Sequence, residues 1–117
     1  SDAPIVVNVA AMYPAKSPIV LRPFLEAYLV VAEAVALAGN DPIDAADLAK
    51  RCLQLGEQMF ARGQIRSREA VTTTLYASGI ELAKNRDLLD GTHQARMEFR
   101  NELQSIRIAL NAISDNA

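Results

Sequence analysis

The chain has 117 residues, half of them apolar and 22% charged, which suits one domain and is globular rather than disordered composition. Its formal net charge of −2 removes the simplest case for nucleic-acid binding, which needs a surplus of Lys and Arg to neutralise phosphates. The single cysteine, Cys52, excludes an intrachain disulfide and a multi-cysteine zinc site.

The opening SDAPIVVNVAAMYPAKSP has neither an initiator methionine nor the basic n-region of a secretory signal. Residues 1–20 read as an irregular arm or linker, and 21–117 as a helical domain cut from a larger chain. Ile5 to Met12 is apolar, but Pro14, Lys16 and Pro18 follow too soon for a membrane span. Within it, Ile5 to Val9 is the one strand candidate, and it lacks a partner.

Four helices follow in a predicted all-α small bundle. The first is expected from about Arg22 to Ala38, with Pro23 in its first turn and Gly39-Asn40 as a left-handed exit. Its roughly 16 helical residues reach about 24 Å, short of the ~30 Å hydrocarbon core, which predicts a buried helix. Glu26 and Glu33 fall within about 20° of each other on it. They form either its wet edge or a contact with basic residues of a missing partner.

The second helix starts at Asp44, a predicted N-cap with Asp47 in the first turn and an Ile43–Leu48 staple. Leu48, Cys52, Leu55 and Met59 draw one apolar stripe, and Gly63 ends the helix. Ser67 is the predicted N-cap of a third helix running to about Asn85. There Val71, Leu75 and Leu82 share one face, and Tyr76, Ile80 and Ala83 an adjacent one. So wide an apolar surface implies two neighbours. Leu88-Leu89 are expected to pin the RDLLDGT loop. The last helix, about Thr92 to Ile113, repeats Phe99, Leu103, Ile106, Leu110 and Ile113 at alternating spacings of four and three, the seam of a bundle helix.

Chemistry is sparse. HQARME contains the only histidine, His93, and its spacing to Glu98 resembles a His-x4-Asp acyl-transfer motif. On one helix the two point about 140° apart, which predicts an exposed histidine without a carboxylate partner. Cys52, inside the apolar stripe, reads as a small buried hydrophobe rather than a nucleophile. Capping accounts for Asp44 and Asp47 without a metal. A helix-turn-helix reading, with Arg62, Arg66 and Arg68 on phosphates, meets a third helix whose surface (Glu69, Thr72, Thr73, Ser78, Glu81) is polar but not basic. The residues therefore predict no catalytic set, cofactor site, metal site or nucleic-acid interface.

Three blocks stand together: LRPFLEAYLVVA (21–32), LAKRCLQLGEQMFARGQI (48–65) and SREAVTTTLYASGIELAKNRDLL (67–89). In this order they resemble the C-terminal helical region of glycerol-3-phosphate acyltransferases of the large bacterial and mitochondrial type. The resemblance implies a membrane-associated parent that acylates the first hydroxyl of glycerol-3-phosphate from acyl-CoA or acyl carrier protein, opening phospholipid synthesis. It also implies a partner, the upstream α/β acyltransferase domain of the same chain, at the cytoplasmic face of a bacterial inner membrane. The family's catalytic Asn-His-x-Ser-x-x-Asp block lies in that upstream domain. It is not matched by THQARME, so no catalytic role transfers to His93 or Glu98. A noncatalytic supporting domain is the expectation, with a free-standing helical interaction module or a DNA-binding domain as alternatives. Any face of the first helix that its neighbours leave bare is then expected to meet the absent domain or the membrane.

Overall fold

A computed structural model describes residues 18–115. It contains helices α1 (Pro18–Leu37), α2 (Ala45–Ala61), a 3-10 turn (Arg68–Ala70), α3 (Thr73–Asn85) and α4 (His93–Asp115), with no strand among the described residues. The all-α bundle is therefore as predicted. Ile5 to Val9 and the arm over 1–17 lie outside the described residues.

α1 is the hub. It packs against each of the other three helices, most extensively α4, while α2 and α3 also meet each other. Every residue from Leu25 to Ala36 is buried except Glu33. This explains its near-continuous apolar composition, because a helix enclosed on all sides has no face to keep polar. It also corrects an expectation: between Leu25 and Ala36 the bundle itself covers α1, leaving no broad bare face for another domain or a membrane.

α1 starts earlier than predicted, so Pro23 lies inside the helix rather than opening it. With no N–H, Pro23 cannot donate to the carbonyl four residues back. At 20 residues α1 reaches about 30 Å, so length does not argue against a span. Its burial inside the protein does, and no described helix is long and apolar enough to cross a membrane.

Local chemistry accounts for the helix ends. Asp44 accepts from the Asp47 N–H at 2.8 Å, as an N-cap does, and the staple residues Ile43 and Leu48 are both buried. Gly39 takes the left-handed conformation predicted for it, with φ 66°, and Gly63, expected to end α2, takes it too, with φ 75°. α3 ends the same way without a glycine. Asp87 has φ 58°, its N–H donates to Lys84 O, and the Leu88 N–H closes back on Ala83 O at 2.9 Å. Leu88 is buried, and Leu89 O accepts from Ile43 N–H, so this loop is pinned as predicted.

The third helix departs from prediction. Ser67 does not cap it, and one 3-10 turn intervenes before Thr72, whose hydroxyl accepts from the Leu75 N–H at 3.2 Å. Two causes are visible. The Ser67 N–H is held by Glu26, and the β-branched run Val71-Thr72-Thr73-Thr74 disfavours continuous helix. Tyr76, Ile80 and Ala83 form the buried face of α3, while Leu75 and Leu82 are half-buried beside it.

Candidate functional site

Glu26 and Arg96 are the buried charged residues of the described fold. The Glu26 carboxylate accepts the backbone N–H groups of Arg66 and Ser67, each at 2.8 Å. Those donors lead into the 3-10 turn. The carboxylate thus fastens the α2–α3 connection to α1. Sequence reasoning placed Glu26 at a wet edge or against a missing partner. The structure corrects this: its partners are backbone groups of its own chain.

Arg96 does the converse. Its Nε donates to Leu88 O, Nη1 to Gly39 O and Nη2 to Leu89 O, all at 2.8 Å. Three donors of one planar guanidinium satisfy carbonyls from two loops. No sequence expectation singled out Arg96. The available signal was positional, since Arg96, Arg100, Gln104, Arg107 and Asn111 recur within about 80° on α4, beside the apolar seam. Phe99, Leu103 and Leu110 of that seam are buried as predicted, and Ile106 is half-buried.

The polar stripe of α4 faces the charged stripe of α1. Arg100 pairs with Glu33 at 3.1 Å, so Glu33, like Glu26, finds its partner within the chain. Next to this pair lies a polar cavity of about 190 Å³ among α1, the end of α2 and α4, with Glu26, Glu33, Gln104, Arg107 and Asn111 in its wall. Arg107 Nη1 donates to Gln64 O. Gln104 Oε1, Arg107 Nε and Asn111 Oδ1 are buried without a hydrogen-bond partner.

The remaining candidates are dispersed. His93 is exposed, and its backbone N–H, not its ring, makes the contact, donating to Asn40 Oδ1 at 2.7 Å. Glu98 is exposed and accepts from Gln94. Cys52 is fully buried, and burial pushes its thiol up from 9.0 to about 12, which suppresses the nucleophilic thiolate. Burial, then the fields of Cys52 and Glu57, raise the Tyr76 phenol to about 12. Asp44 is occupied as a cap, and no group of three or more His, Cys, Asp and Glu among the described residues could hold a metal ion.

The helix-turn-helix geometry is absent. Between α2 and α3 run residues 62–72, including the 3-10 turn, where such a motif needs three or four residues. Arg68 stacks over Phe60 at 5.2 Å and pairs with Glu57 at 3.3 Å.

Residues 15–92 match the family described as the glycerol-3-phosphate acyltransferase C-terminal region. The chain belongs to this family. Relatives carrying the acyltransferase name plsB1, from Mycobacterium bovis and two strains of Mycobacterium tuberculosis, are 33% identical over 104 residues, 85% of this chain. The chain spans 17% of their length. No solved structure matches it. The matched segment of this acyltransferase C-terminal region holds α1, α2, the 3-10 turn and α3, so the Glu26 clamp falls inside it and α4 lies beyond it.

Proposed function

We propose that this chain is the noncatalytic helical C-terminal domain of a glycerol-3-phosphate acyltransferase. It supports an upstream domain of the same polypeptide, which moves an acyl group from acyl-CoA or acyl carrier protein to the first hydroxyl of glycerol-3-phosphate for phospholipid synthesis. The parent works at a membrane, at the cytoplasmic face of a bacterial inner membrane.

Family membership supports the parent reaction. The observation that carries the noncatalytic reading is the state of His93. Acyl transfer from a thioester needs a positioned base for the hydroxyl and donors for the developing oxyanion. His93 is exposed, and no described carboxylate orients its ring. The buried charges that could have formed a reaction centre, Glu26 and Arg96, instead hold backbone groups.

The test uses the chain and its longer parent side by side. Acylation of glycerol-3-phosphate by the isolated chain is expected to equal the no-protein blank. His93→Ala in the parent leaves turnover within about threefold, under roughly 1 kcal/mol in the barrier. Deleting 21–113 from the parent lowers its folded yield. Turnover by the purified chain, lost on His93→Ala, would overturn the reading.

A further inference from the structure

Asp90-Gly91, in the RDLLDGT loop between α3 and α4, is the one place in the sequence where an aspartate or asparagine precedes glycine. Packing imposes the glycine. A Cβ at Gly91 would lie 3.0 Å from Asp87 O and 3.2 Å from Leu88 Cα, closer than a side chain is accommodated without a shift of the turn. Lacking a Cβ, Gly91 leaves its own amide nitrogen unshielded.

The two groups on either side of this peptide bond are loosely held. Asp90 is exposed, and among the described residues no hydrogen bond or ion pair engages its carboxylate. The Gly91 N–H donates to Leu88 O at 3.3 Å, a long bond, while Arg96 Nε reaches the same oxygen at 2.8 Å. Other acids and amides of the fold are better restrained. Asp44 Oδ1 is taken by the Asp47 N–H and Asn40 Oδ1 by the His93 N–H. The amide following Asp87, that of Leu88, is bonded to Ala83 O at 2.9 Å. Asn101 lies within α4, where the next N–H belongs to the helix ladder.

We propose that Asp90-Gly91 is a self-modification site of the folded protein, rearranging to an aspartate linked through its side chain and loosening the grip of Arg96. The Gly91 nitrogen bonds to Asp90 Cγ, losing its proton, and one carboxyl oxygen leaves as water, closing a cyclic imide. Water then adds to the main-chain carbonyl carbon of Asp90. The bond from that carbon to Gly91 N breaks, the nitrogen regains a proton, and a free α-carboxylate remains. Opening at Cγ instead restores the original peptide. Water alone balances the reaction: one molecule leaves, one enters, nothing is oxidised, and the mass is unchanged.

The product carries one extra methylene in the main chain, about 1.5 Å of added path. It falls between two points that Arg96 keeps in register. Upstream, Leu89 O accepts from Arg96 Nη2 and from the Ile43 N–H. Downstream, the Thr92 hydroxyl accepts from the Ala95 N–H and the Thr92 carbonyl from the Arg96 N–H. The longer linkage therefore displaces either the loop carbonyls or the start of α4. Only residues of this chain take part, so the inference stands apart from the acyltransferase reading.

The folded chain is held near neutral pH in water enriched in heavy oxygen, and the peptide containing Asp90 is followed by mass spectrometry. Enzymatic methylation of the free α-carboxylate reads the side-chain linkage. The expected result is a β-linked product at position 90 that takes up heavy oxygen and accumulates ahead of every other aspartate. Asp90→Glu, whose imide ring is one atom larger and closes far more slowly, abolishes the product and leaves the thermal midpoint of fresh protein unchanged. The purified modified chain shows a lower midpoint and faster amide exchange over 88–96 than the unmodified chain. No product in the folded chain, with ready formation in urea, shows that the turn protects the bond and overturns the inference. A product that persists in Asp90→Glu, or that carries no heavy oxygen, excludes the imide route. Unchanged exchange over 88–96 in the modified chain overturns the link to Arg96.

Discussion

Arg96 reaches across the bundle to Gly39, its Nη1 donating to that carbonyl at 2.8 Å and tying the start of α4 to the exit of α1. The residues are far apart in sequence, and the same guanidinium also holds Leu88 and Leu89. Arg96 therefore organises the end of the bundle opposite the start of α1. Glu26, clamping the 3-10 turn, performs the matching task for the α2–α3 connection.

Replacing Arg96 by Met should strip the guanidinium donors from three loop carbonyls, leaving Leu89 O with the Ile43 N–H, Leu88 O with the Gly91 N–H, and Gly39 O with no donor among the described residues. Hydrogen bonds to charged groups contribute about 1.5–3 kcal/mol each, so a total loss of roughly 3 kcal/mol or more is expected in a denaturant titration. Arg96→Lys should recover only part of it, since one ammonium cannot span three carbonyls in fork geometry. A fully stable Met variant would show that water replaces the guanidinium without loss.

Glu26→Gln keeps the shape but offers one carbonyl oxygen where two carboxylate oxygens stood, and turns an amide donor toward a backbone donor. A loss of about 2–4 kcal/mol is expected, with faster exchange at the Arg66 and Ser67 amides. Unchanged exchange at those amides would contradict the clamp.

Gly56 and Gly79 mark the closest helix approaches. A Cβ on Gly56 would lie 1.9 Å from Tyr76 Oη, and one on Gly79 2.8 Å from Val31 Cγ2. Tyr76 Oη is buried and has no hydrogen-bond partner, so Tyr76→Phe alone should be neutral or stabilising. Gly56→Ala should cost about 1–3 kcal/mol through overpacking, and adding Tyr76→Phe should restore much of it. Additive effects of the two substitutions would rule out the contact.

The α2 stripe separates its members by burial. Leu48 is fully buried and Leu55 only half-buried, so Leu48→Ala should cost about 2–5 kcal/mol and Leu55→Ala less, about 1–2. By the stripe alone the two leucines would be equivalent. A reversed order in thermal or denaturant unfolding would misplace the face of α2.

Cys52 and Tyr76 set an alkaline limit. Burial raises the thiol from 9.0 to about 12 and the phenol from 10.0 to about 12 in the folded chain. The unfolded chain then releases protons first, so stability is full below about pH 9 and falls as pH rises toward about 12. The denaturation midpoint should drop from about pH 8 to about pH 10.5, and less steeply for Cys52→Ala. A thiol reagent should modify the protein only after unfolding. Rapid modification of the native protein near neutral pH would show an open Cys52.

Short-range physics made much of this protein readable from its residues. Helix periodicity, the Asp44 cap, the glycine exits at Gly39 and Gly63 and the apolar seam of α4 follow from side chains within one or two turns of each other, and the structure carries them, apart from Ile113, whose side chain lies outside the described residues. The family was legible in the blocks over 21–89. Tertiary structure decided what long-range contacts decide. The segment after Ser67 had two local choices, and Glu26, capturing its backbone N–H groups, accompanies a 3-10 turn there instead of a longer α3. The polar stripe from Arg96 to Asn111 drew no expectation, because sequence alone does not say which helix lies opposite. Only with α1 against it does Arg96 become a buried clamp and Arg100 the partner of Glu33. The enclosure of α1 has the same origin: composition marked it as apolar all round, and the packing of three other helices against it supplied the cover.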